Sequence, residues 1–449
     1  MKRIDIPNNA RVIIDLLQAA GYEAFVVGGC VRDALLGSEP NDWDITTSAT
    51  PDEIKAAVQP AGLACIDTGI AHGTVTVLAD SAPFEVTTYR ADGAYSDGRH
   101  PDSVSFLKHI DGDLARRDFT VNAMAYNPSC GIVDLHGGRD DLAAGVLRAV
   151  GQPDERFTED ALRIVRGLRF AATFGFDIEP DTSAAIHNLR GLLANVAVER
   201  IWSEFSGMLR GQHVVDTMRA YSDVVFAIIP ELEAEYGFDQ HNSFHKYDVW
   251  EHTLHALEAA PPSMDAITRF ALLLHDIGKP HCLTFDDDGR GHTYGHEKVG
   301  EPIARGICTR LKLPNAQKDL IAHLVRWHMF SIPDTEKTMR RFLLKHGPER
   351  AQLLFDLRRC DKAGLGYAQA PDSPLSVAFA KAELLMEEQL NAQSVFGVKD
   401  LAVDGKDLMA WGIPQGPEIG RVLQKLLLAV VDGELANTKE SLRAYVSQL

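Results

Sequence analysis

The sequence predicts an α/β (α+β) domain over residues 1–150, followed by a chain that is helical to its end. Three observations support this division. Short strand-like apolar stretches mix with a few helices in the first part, helical apolar spacing takes over from Phe157, and histidines gather in a later helical part. We therefore expect four regions without an internal repeat, at residues 1–150, 151–238, 239–370 and 371–449.

The composition is that of a folded protein with more than one core, because 45% of the 449 residues are hydrophobic. No apolar run reaches the roughly 18 to 20 residues of a membrane span, and the start of the chain lacks a signal-peptide core. We expect a cytoplasmic protein that does not bind membranes. The six cysteines are widely spaced and predict reduced thiols, not a disulfide framework or a zinc ribbon.

The formal net charge of −18 argues against nonspecific nucleic-acid binding by the whole molecule. The charges are unevenly distributed, however. Arginines crowd residues 116–219, whereas the last 60 residues contain seven Asp and Glu against six Lys and Arg. A basic face on an acidic protein is therefore compatible with the sequence.

The first region carries a glycine pair and an Arg-Asp pair, followed by two closely spaced aspartates. In GGCVRDALLGSEPNDWDITT these are Gly28, Gly29, Arg32, Asp33, Asp42 and Asp44. If DWDITT is a strand, both late aspartates face one side, and a bound cation would relieve their repulsion. Mg²⁺ takes such oxygens together with phosphates, and the glycines let backbone N–H groups approach a phosphate at the next helix. The pattern predicts metal-assisted transfer from a nucleoside triphosphate. A solvent-exposed turn is the alternative.

Further strands are expected in AFVVGG, GTVTVLA, PFEVTTYR, VSFL and GIVDL. Glu85, in the third of these, is a candidate third carboxylate near the metal, with an exposed strand end as the equally weighted alternative. The stretch from Tyr89 to Val104 is charged, rich in glycine and without periodicity, so it predicts a mobile loop.

The stretch RRDFTVNAM places an arginine fork beside a carboxylate. Arg117 can donate to a phosphate, and Asp118 can accept from a ribose hydroxyl. A solvated surface triplet is the alternative for this motif taken alone.

The stretch TEDALRIVRGLRFAATFG predicts one helix, with Thr158 as N-cap and Gly175 as the stop. Its polar face carries Asp160, Arg163, Arg166 and Arg169. A carboxylate next to a guanidinium pairs with the amino group and ring nitrogen of cytosine or adenine, whereas uracil and guanine present the opposite order. We therefore predict selection of CTP and ATP, against the alternative of an ordinary amphipathic helix with a salt-bridged stripe.

The third region carries histidines and aspartates at spacings that favour a metal site: His252, the pair His275-Asp276, and Asp361. His296 and His328 are candidate additional ligands. For any one of these histidines taken alone, a capped or core position is the alternative.

Four stretches, taken in order, resemble the class II CCA tRNA nucleotidyltransferase and poly(A) polymerase family over roughly residues 20–215. They are GGCVRDALLG…DWDITT, RRDFTVNAMAYN, EDALRIVRGLRFAATFGF and VERIWSEF. The resemblance implies a polymerase-beta-like nucleotidyltransferase head, an all-α neck and body, Mg²⁺, and tRNA, CTP and ATP as partners. It assigns the metal to Asp42 and Asp44. We expect nucleotide binding at Gly28, Gly29, Arg32, Arg117, Asp118, Asp160, Arg163, Arg166 and Arg169. A loop at the position of Tyr89–Val104 accompanies the switch from C to A addition in this family, which disfavours a C-only enzyme.

Residues 245–365 resemble HD-type metal-dependent hydrolase domains, which implies an all-α HD domain with a divalent metal at His252, His275, Asp276 and Asp361. Three functions stay open at this point. The first is CCA addition to tRNA. The second is a poly(A) polymerase, for which ATP-only tails and a basic extension in place of the acidic C-terminus would be expected. The third is an HD phosphohydrolase whose head only binds RNA, against which the intact RRDFTVNAM and EDxxR motifs argue.

Overall fold

The computed structural model describes residues 3–93, 104–241, 246–365, 373–392 and 397–448. The chain forms two compact units, Met1–Glu233 and Ala234–Leu449. Part of the expected loop, residues 94–103, lies outside the described residues. Among the described residues, no helix is long and apolar enough to cross a membrane.

The first unit starts with a mixed α/β part. Its elements are α1 Asn8–Ala19, β1 Ala24–Val27, α2 Gly29–Leu36, β2 Ile45–Thr47, α3 Pro51–Val58, β3 Ala64–Gly69, β4 Thr74–Ala79, β5 Ala82–Thr88, β6 Arg90–Asp92, β7 Val104–Phe106, α4 Ile110–Ala115, β8 Met124–Asn127, β9 Gly131–Asp134, α5 Gly138–Ala144 and β10 Val146–Leu147. The unit continues with α6 Pro153–Glu159, α7 Leu162–Phe174, β11 Asp177–Ile178, α8 Pro180–Leu189, α9 Val198–Leu209, α10 Val214–Ala220 and α11 Ser222–Ile228.

Seven strands form the main sheet of this unit, in the order β3-β4-β5-β2-β1-β8-β9. Only β2 and β5 run parallel, and the other neighbours are antiparallel. The central strand β1 is buried along its whole length, as an apolar AFVV run between two neighbours requires. A mixed α/β head followed by a helical body confirms the predicted fold class.

One sequence expectation about the helices of this unit is wrong. Thr158 does not cap the helix of the EDALRIVRG stretch, because it lies inside α6, and the chain breaks at Asp160 in an extended conformation. Helix α7 starts only at Leu162, and its end at Gly175, in the left-handed region with φ 69°, is as predicted.

The second unit is almost entirely helical. Its elements are α12 Val249–Glu258, α13 Ala266–Leu273, β12 Thr284–Phe285, β13 Gly291–His292, α14 His296–Arg310, α15 Asn315–Trp327, α16 Glu336–His346, α17 Pro348–Ala363, α18 Pro374–Asn391, α19 Gly405–Ala410, α20 Pro417–Val431 and α21 Lys439–Val446. The short hairpin β12–β13 is the departure from the expected all-α pattern within the described residues.

Candidate functional site

The two aspartates of the DWD motif lie beside the end of β1. The sequence predicted that a strand DWDITT carries both side chains on one face. Strand β2 begins only at Ile45, one residue after Asp44, so neither aspartate belongs to it. The backbone nevertheless fixes Asp44, whose carbonyl accepts from Val27 N–H at 3.0 Å. Both carboxylates are solvent-exposed and lie next to the glycine turn that follows β1.

Strand β5 brings Glu85 to the same edge of the sheet. Because Ile45 pairs with Val86 in parallel register, the residues just before them, Asp44 and Glu85, are neighbours. Desolvation raises the pKa of Asp44, and the negative charge of Glu85 raises it further, followed by a smaller effect of Asp42. None of the three carboxylates forms an ion pair with a described residue, so their repulsion is of the kind that a divalent cation relieves.

Gly28 forms the turn between β1 and α2, with φ 81° and ψ −128°. This conformation is accessible to glycine and strained for other residues. A Cβ atom at this position would lie 2.7 Å from Nη1 of Arg117. The absence of a side chain therefore lets the guanidinium approach the turn, where it also lowers the pKa of Asp44.

Arginines line a cavity of about 240 Å³ in the same unit. Its walls are formed by five arginines and two aspartates: Arg116, Arg117, Asp118, Asp160, Arg163, Arg166 and Arg200. The cavity thus brings together residues from the RRDF, EDxxR and VERIW stretches. Such a charge balance suits a polyanionic ligand.

Asp118 is buried and anchors Arg166. Its Oδ2 accepts from Nε and Nη2 of Arg166 at 2.9 and 2.8 Å, and its Oδ1 accepts from Phe119 N–H and from Nδ2 of Asn122. Burial raises the pKa of Asp118, but the Arg166 charge and these hydrogen bonds outweigh it and lower the pKa to about 2. Asp118 therefore remains ionised.

The helix break gives Asp160 a position that the one-helix prediction missed. Its backbone is extended, and its Oδ1 accepts from Leu162 N–H at 3.1 Å at the start of α7. Its Oδ2 accepts from Nη2 of Arg200, on α9, at 2.9 Å. The sequence assigned no role to Arg200, although it lies in the VERIWSEF stretch.

Arg163 is buried and held from three sides. Nη1 donates to Oε2 of Glu159 at 2.8 Å and to the carbonyl of Arg156, and Nη2 donates to the carbonyl of Arg116. These contacts use three of its five N–H groups and fix the orientation of the others. Arg163 and Asp160 therefore line one cavity, as the sequence predicts.

Two predicted nucleotide-binding arginines do not line this cavity. Arg32 is buried, donates to Oδ1 of Asn122 at 2.6 Å, and packs over the rings of Phe170 and Phe174. Arg169 pairs with Glu204 of α9 and packs over Phe170, with its guanidinium carbon 4.2 Å from the ring centroid. Arg32 thus links α2 to α7, and Arg169 links α7 to α9.

The second unit gathers all of its predicted metal ligands in one buried cluster. His252 Nε2 lies 3.3 Å from Oδ2 of Asp276 and 3.2 Å from Oδ1 of Asp361, and His275 Nε2 lies 3.2 Å from Oδ2 of Asp276. These four residues come from α12, the segment after α13, and α17.

The two additional candidates, His296 and His328, reach the other oxygen of the same carboxylate. Their Nε2 atoms lie 3.2 and 3.7 Å from Oδ1 of Asp276, and 3.1 Å from each other. Two ligand groups therefore share Asp276, one with His252 and His275 and one with His296 and His328.

Backbone carbonyls set the tautomers of three of these histidines. Nδ1 of His275, His296 and His328 lies 2.7 to 2.8 Å from the carbonyl oxygens of Leu272, Thr293 and Val325. Because a carbonyl can only accept, each Nδ1 carries a proton and each Nε2 points to the centre. This arrangement is the usual support of metal-binding imidazoles, so the residues fit a metal site.

Cationic groups lie against the carboxylates of this cluster. Burial lowers the pKa of His275, but the charges of Asp276 and Asp361 outweigh it and raise the pKa to about 10. Lys279, which the sequence did not single out, lies with Nζ 2.7 Å from Oδ2 of Asp276 and donates to Oε1 of Gln240. The acidic oxygens are thus matched by cationic groups.

Comparison with protein families covers most of the chain. Residues 24–148 match the family model described as "Poly A polymerase head domain". Residues 175–235 match "Probable RNA and SrmB- binding site of polymerase A", and residues 298–446 match "tRNA nucleotidyltransferase domain 2 putative".

Full-length relatives carry one common name. The chain is 32% identical over 458 residues to the CCA-adding enzyme of Leuconostoc mesenteroides, covering all of this chain and 98% of that protein. It is 34% identical to the CCA-adding enzyme of Levilactobacillus brevis, over 98% and 97% of the two chains.

Solved structures agree with these relatives. The Bacillus stearothermophilus CCA-adding enzyme in complex with CTP is 30% identical and matches with a TM-score of 0.72, over 98% of this chain and 96% of that one. The Thermotoga maritima CCA-adding enzyme complexed with tRNA_CCA is 20% identical, with a TM-score of 0.59, and shares the fold.

Proposed function

We propose that this chain, which belongs to the CCA-adding enzyme family, completes the 3′ end of tRNA with C, C and A from CTP and ATP and releases pyrophosphate. One observation carries the proposal. Arg117 connects an exposed carboxylate cluster, beside Gly28, to the arginine-lined cavity that contains Asp160 and Arg163. Because its substrates would be tRNA and free nucleotides, we propose the cytoplasm as its compartment.

In this reaction the 3′ hydroxyl oxygen of tRNA attacks the α-phosphorus of the triphosphate. The bond to the β-phosphate bridging oxygen breaks, pyrophosphate leaves, and the hydroxyl proton passes to solvent. The family implies a divalent metal, typically Mg²⁺, which when bound lowers the pKa of the hydroxyl and neutralises charge on the phosphates. We propose that Asp42 and Asp44 hold it, with Glu85 adjacent.

The arginines would bind and orient the nucleotide. Arg117 lies between the carboxylates and the cavity, where its guanidinium can hold the triphosphate. The backbone N–H of Gly29, the first residue of α2, offers a further donor to a phosphate. Asp118 would meet the ribose hydroxyls from its position against Arg166.

Base choice would rest on Asp160 and Arg163. The carboxylate accepts from the amino group of cytosine or adenine, and a free N–H of Arg163 donates to the neighbouring ring nitrogen. Arg200 donates to both oxygens of Asp160, at 3.5 and 2.9 Å, and Glu159 accepts from Arg163. These contacts support the proposal, since both groups are already held in place.

The decisive experiment offers the purified protein a tRNA lacking CCA, with each labelled nucleotide in turn. We expect two C residues, then one A, and exclusion of UTP and GTP. Tails of A alone would favour the poly(A) polymerase alternative. No addition at all, with hydrolysis of phosphate esters, would favour the hydrolase.

A second activity is proposed for the His/Asp cluster, because two ligand groups share Asp276. We propose an HD-type centre with two divalent ions, held by His252, His275 and Asp361 on one side and by His296 and His328 on the other. Bound ions would supply Lewis acidity for hydrolysis of a phosphate ester. Elemental analysis of the purified chain should give two metal equivalents, and His296→Ala with His328→Ala should remove one.

A further inference from the structure

Two cavities of the second unit meet at the end of α15. One has a volume of about 590 Å³ and the other about 390 Å³, and both are lined by Arg326 and Trp327. Together they are called the Trp327 pocket. The pocket is distinct from the His/Asp cluster, whose side chains do not line either cavity.

Cations without carboxylate partners face this pocket. Neither Lys345 nor Arg350 forms an ion pair with a described residue. Nζ of Lys345 lies 3.2 Å from the ring centroid of Trp327, and the Arg326 guanidinium carbon lies 4.6 Å from it. Arg326, by contrast, is ion-paired with Glu297 and Glu301, at 3.7 and 3.6 Å.

The flanking arginines are already neutralised. Arg305 binds Asp319 at 2.6 Å. Arg341 donates to both carboxylate oxygens of Asp432 through Nε and Nη2, each at 2.7 Å. Among the cations that line the two cavities, Lys345 and Arg350 are thus the two without an ion pair to a described residue. This pattern favours a compact anion over an extended one.

The pKa values of two histidines, His323 and His346, reflect the positive charge of this pocket. Nε2 of His323 and Nδ1 of His346 lie 3.0 Å apart. Burial lowers both pKa values to about 4, and the charges of Arg350 and Lys345 contribute to both shifts. The pair is therefore neutral near pH 7 and does not relieve the repulsion among the cations.

The surrounding segment is basic although the chain is acidic. Residues 298–362 contain 14 Lys and Arg against 7 Asp and Glu, in a chain of net charge −18. Holding unpaired cations in a half-enclosed cavity costs free energy, which an incoming anion would recover.

We propose that the Trp327 pocket binds a nucleotide, with its phosphates on Lys345 and Arg350 and its base against Trp327. The larger cavity has the size of a small-molecule site and an apolar wall that includes Phe330, Ile332 and Phe342. Lys345 rests on the indole face and would turn to the phosphates on binding. The inference does not depend on the reaction proposed for the first unit.

Equilibrium dialysis of the full chain against labelled ATP tests the proposal. Lys345→Gln with Arg350→Gln should bind one ATP equivalent fewer than wild type, because affinity at the pocket falls at least about tenfold when two charged hydrogen bonds are lost. CCA addition should be unchanged. The matched control, Arg305→Gln with Arg341→Gln, removes paired cations from the same cavities and should keep the wild-type stoichiometry.

Three outcomes would overturn the proposal. Equal ATP stoichiometry in wild type and double variant would show that the pocket holds no nucleotide. A loss of tRNA affinity at unchanged ATP stoichiometry would identify RNA as the occupant. Displacement of ATP by an equal concentration of inorganic phosphate would show that the base makes no contact. Trp327→Leu should weaken ATP binding about tenfold, while Trp327→Phe keeps most of it, because base stacking has that magnitude.

Discussion

At the scale of single residues, nucleotide transfer should depend on the carboxylates beside Gly28. We expect Asp42→Asn or Asp44→Asn to abolish both C and A addition, because a neutral amide cannot hold the divalent ion. Both side chains are exposed, so Tm should change little. Asp67→Asn, at another exposed aspartate of the same unit, serves as the control. Turnover within about tenfold of wild type would refute the metal assignment.

Arg200 is a better residue than Arg163 to mutate in a test of base choice. Arg163→Ala would remove a buried side chain with three hydrogen bonds and confuse specificity with stability. Arg200→Gln instead frees the carboxylate of Asp160, which should lower kcat/KM for CTP and ATP about tenfold and admit UTP.

The control for this substitution is Arg210→Gln, at the exposed end of the same helix. Single-nucleotide addition assays with all four triphosphates give the measurement. Unchanged exclusion of UTP in the Arg200 variant would mean that Asp160 needs no support from α9.

His346 makes the stability of the chain sensitive to pH. Its pKa in the folded state, about 4, lies below the ordinary value near 6.5, so the unfolded chain binds more protons as the pH falls. This contribution to stability is complete above pH 6.5 and is lost progressively down to pH 4. Between pH 7 and pH 5, the free energy of unfolding measured in urea should fall by about 1 kcal/mol more in the wild type than in His346→Asn. This figure is already discounted for solvent screening. A parallel pH dependence in both proteins would contradict the assignment.

At the scale of elements, the turn before α2 can be tested with two glycines of nearly equal φ. Gly28 and Gly37 flank this helix with φ 81° and 82°. Alanine at Gly37 meets no atom within 4 Å and should cost only backbone strain, about 1 kcal/mol. Gly28→Ala should cost more strain, because its ψ of −128° lies outside the left-handed helical region that Gly37 occupies with ψ 14°. It should in addition displace Arg117 and reduce nucleotide addition. Equal activity of the two variants would rule out a role for the close approach.

The EDxxR stretch shows where local sequence reasoning fails at this scale. Three-residue spacing correctly placed Asp160, Arg163 and Arg166 on one cavity, yet it could not reveal the break after Glu159. Asp160 leaves the helix because its carboxylate caps Leu162 and binds Arg200, about 40 positions later. Such a tertiary partner overrides helical periodicity and is invisible in a local window.

At the scale of the whole molecule, the secondary-structure elements were easier to predict than the way in which their side chains come together at the sites. All six expected strands of the first part formed, although β2 covers only the last three residues of DWDITT. Apolar and β-branched runs fit a pleated sheet. The His and Asp residues that cluster in the second unit were also singled out from their spacing. That Asp276 serves two histidine groups could not be read from the sequence, since the groups join residues from four helical segments. Lys279 was missed because a single lysine carries no pattern.

The two sites lie in separate compact units, so their chemistries should separate by mutation. His275→Ala with Asp276→Ala removes ligands from both halves of the His/Asp cluster and should abolish metal binding and any phosphatase activity. CCA addition should stay near wild type, because no carboxylate or arginine of the first unit is altered. The matched control, His255→Ala with Glu258→Ala, removes a surface pair at 3.0 Å in the same unit. Loss of CCA addition in a double variant that still melts like wild type would demonstrate coupling between the sites.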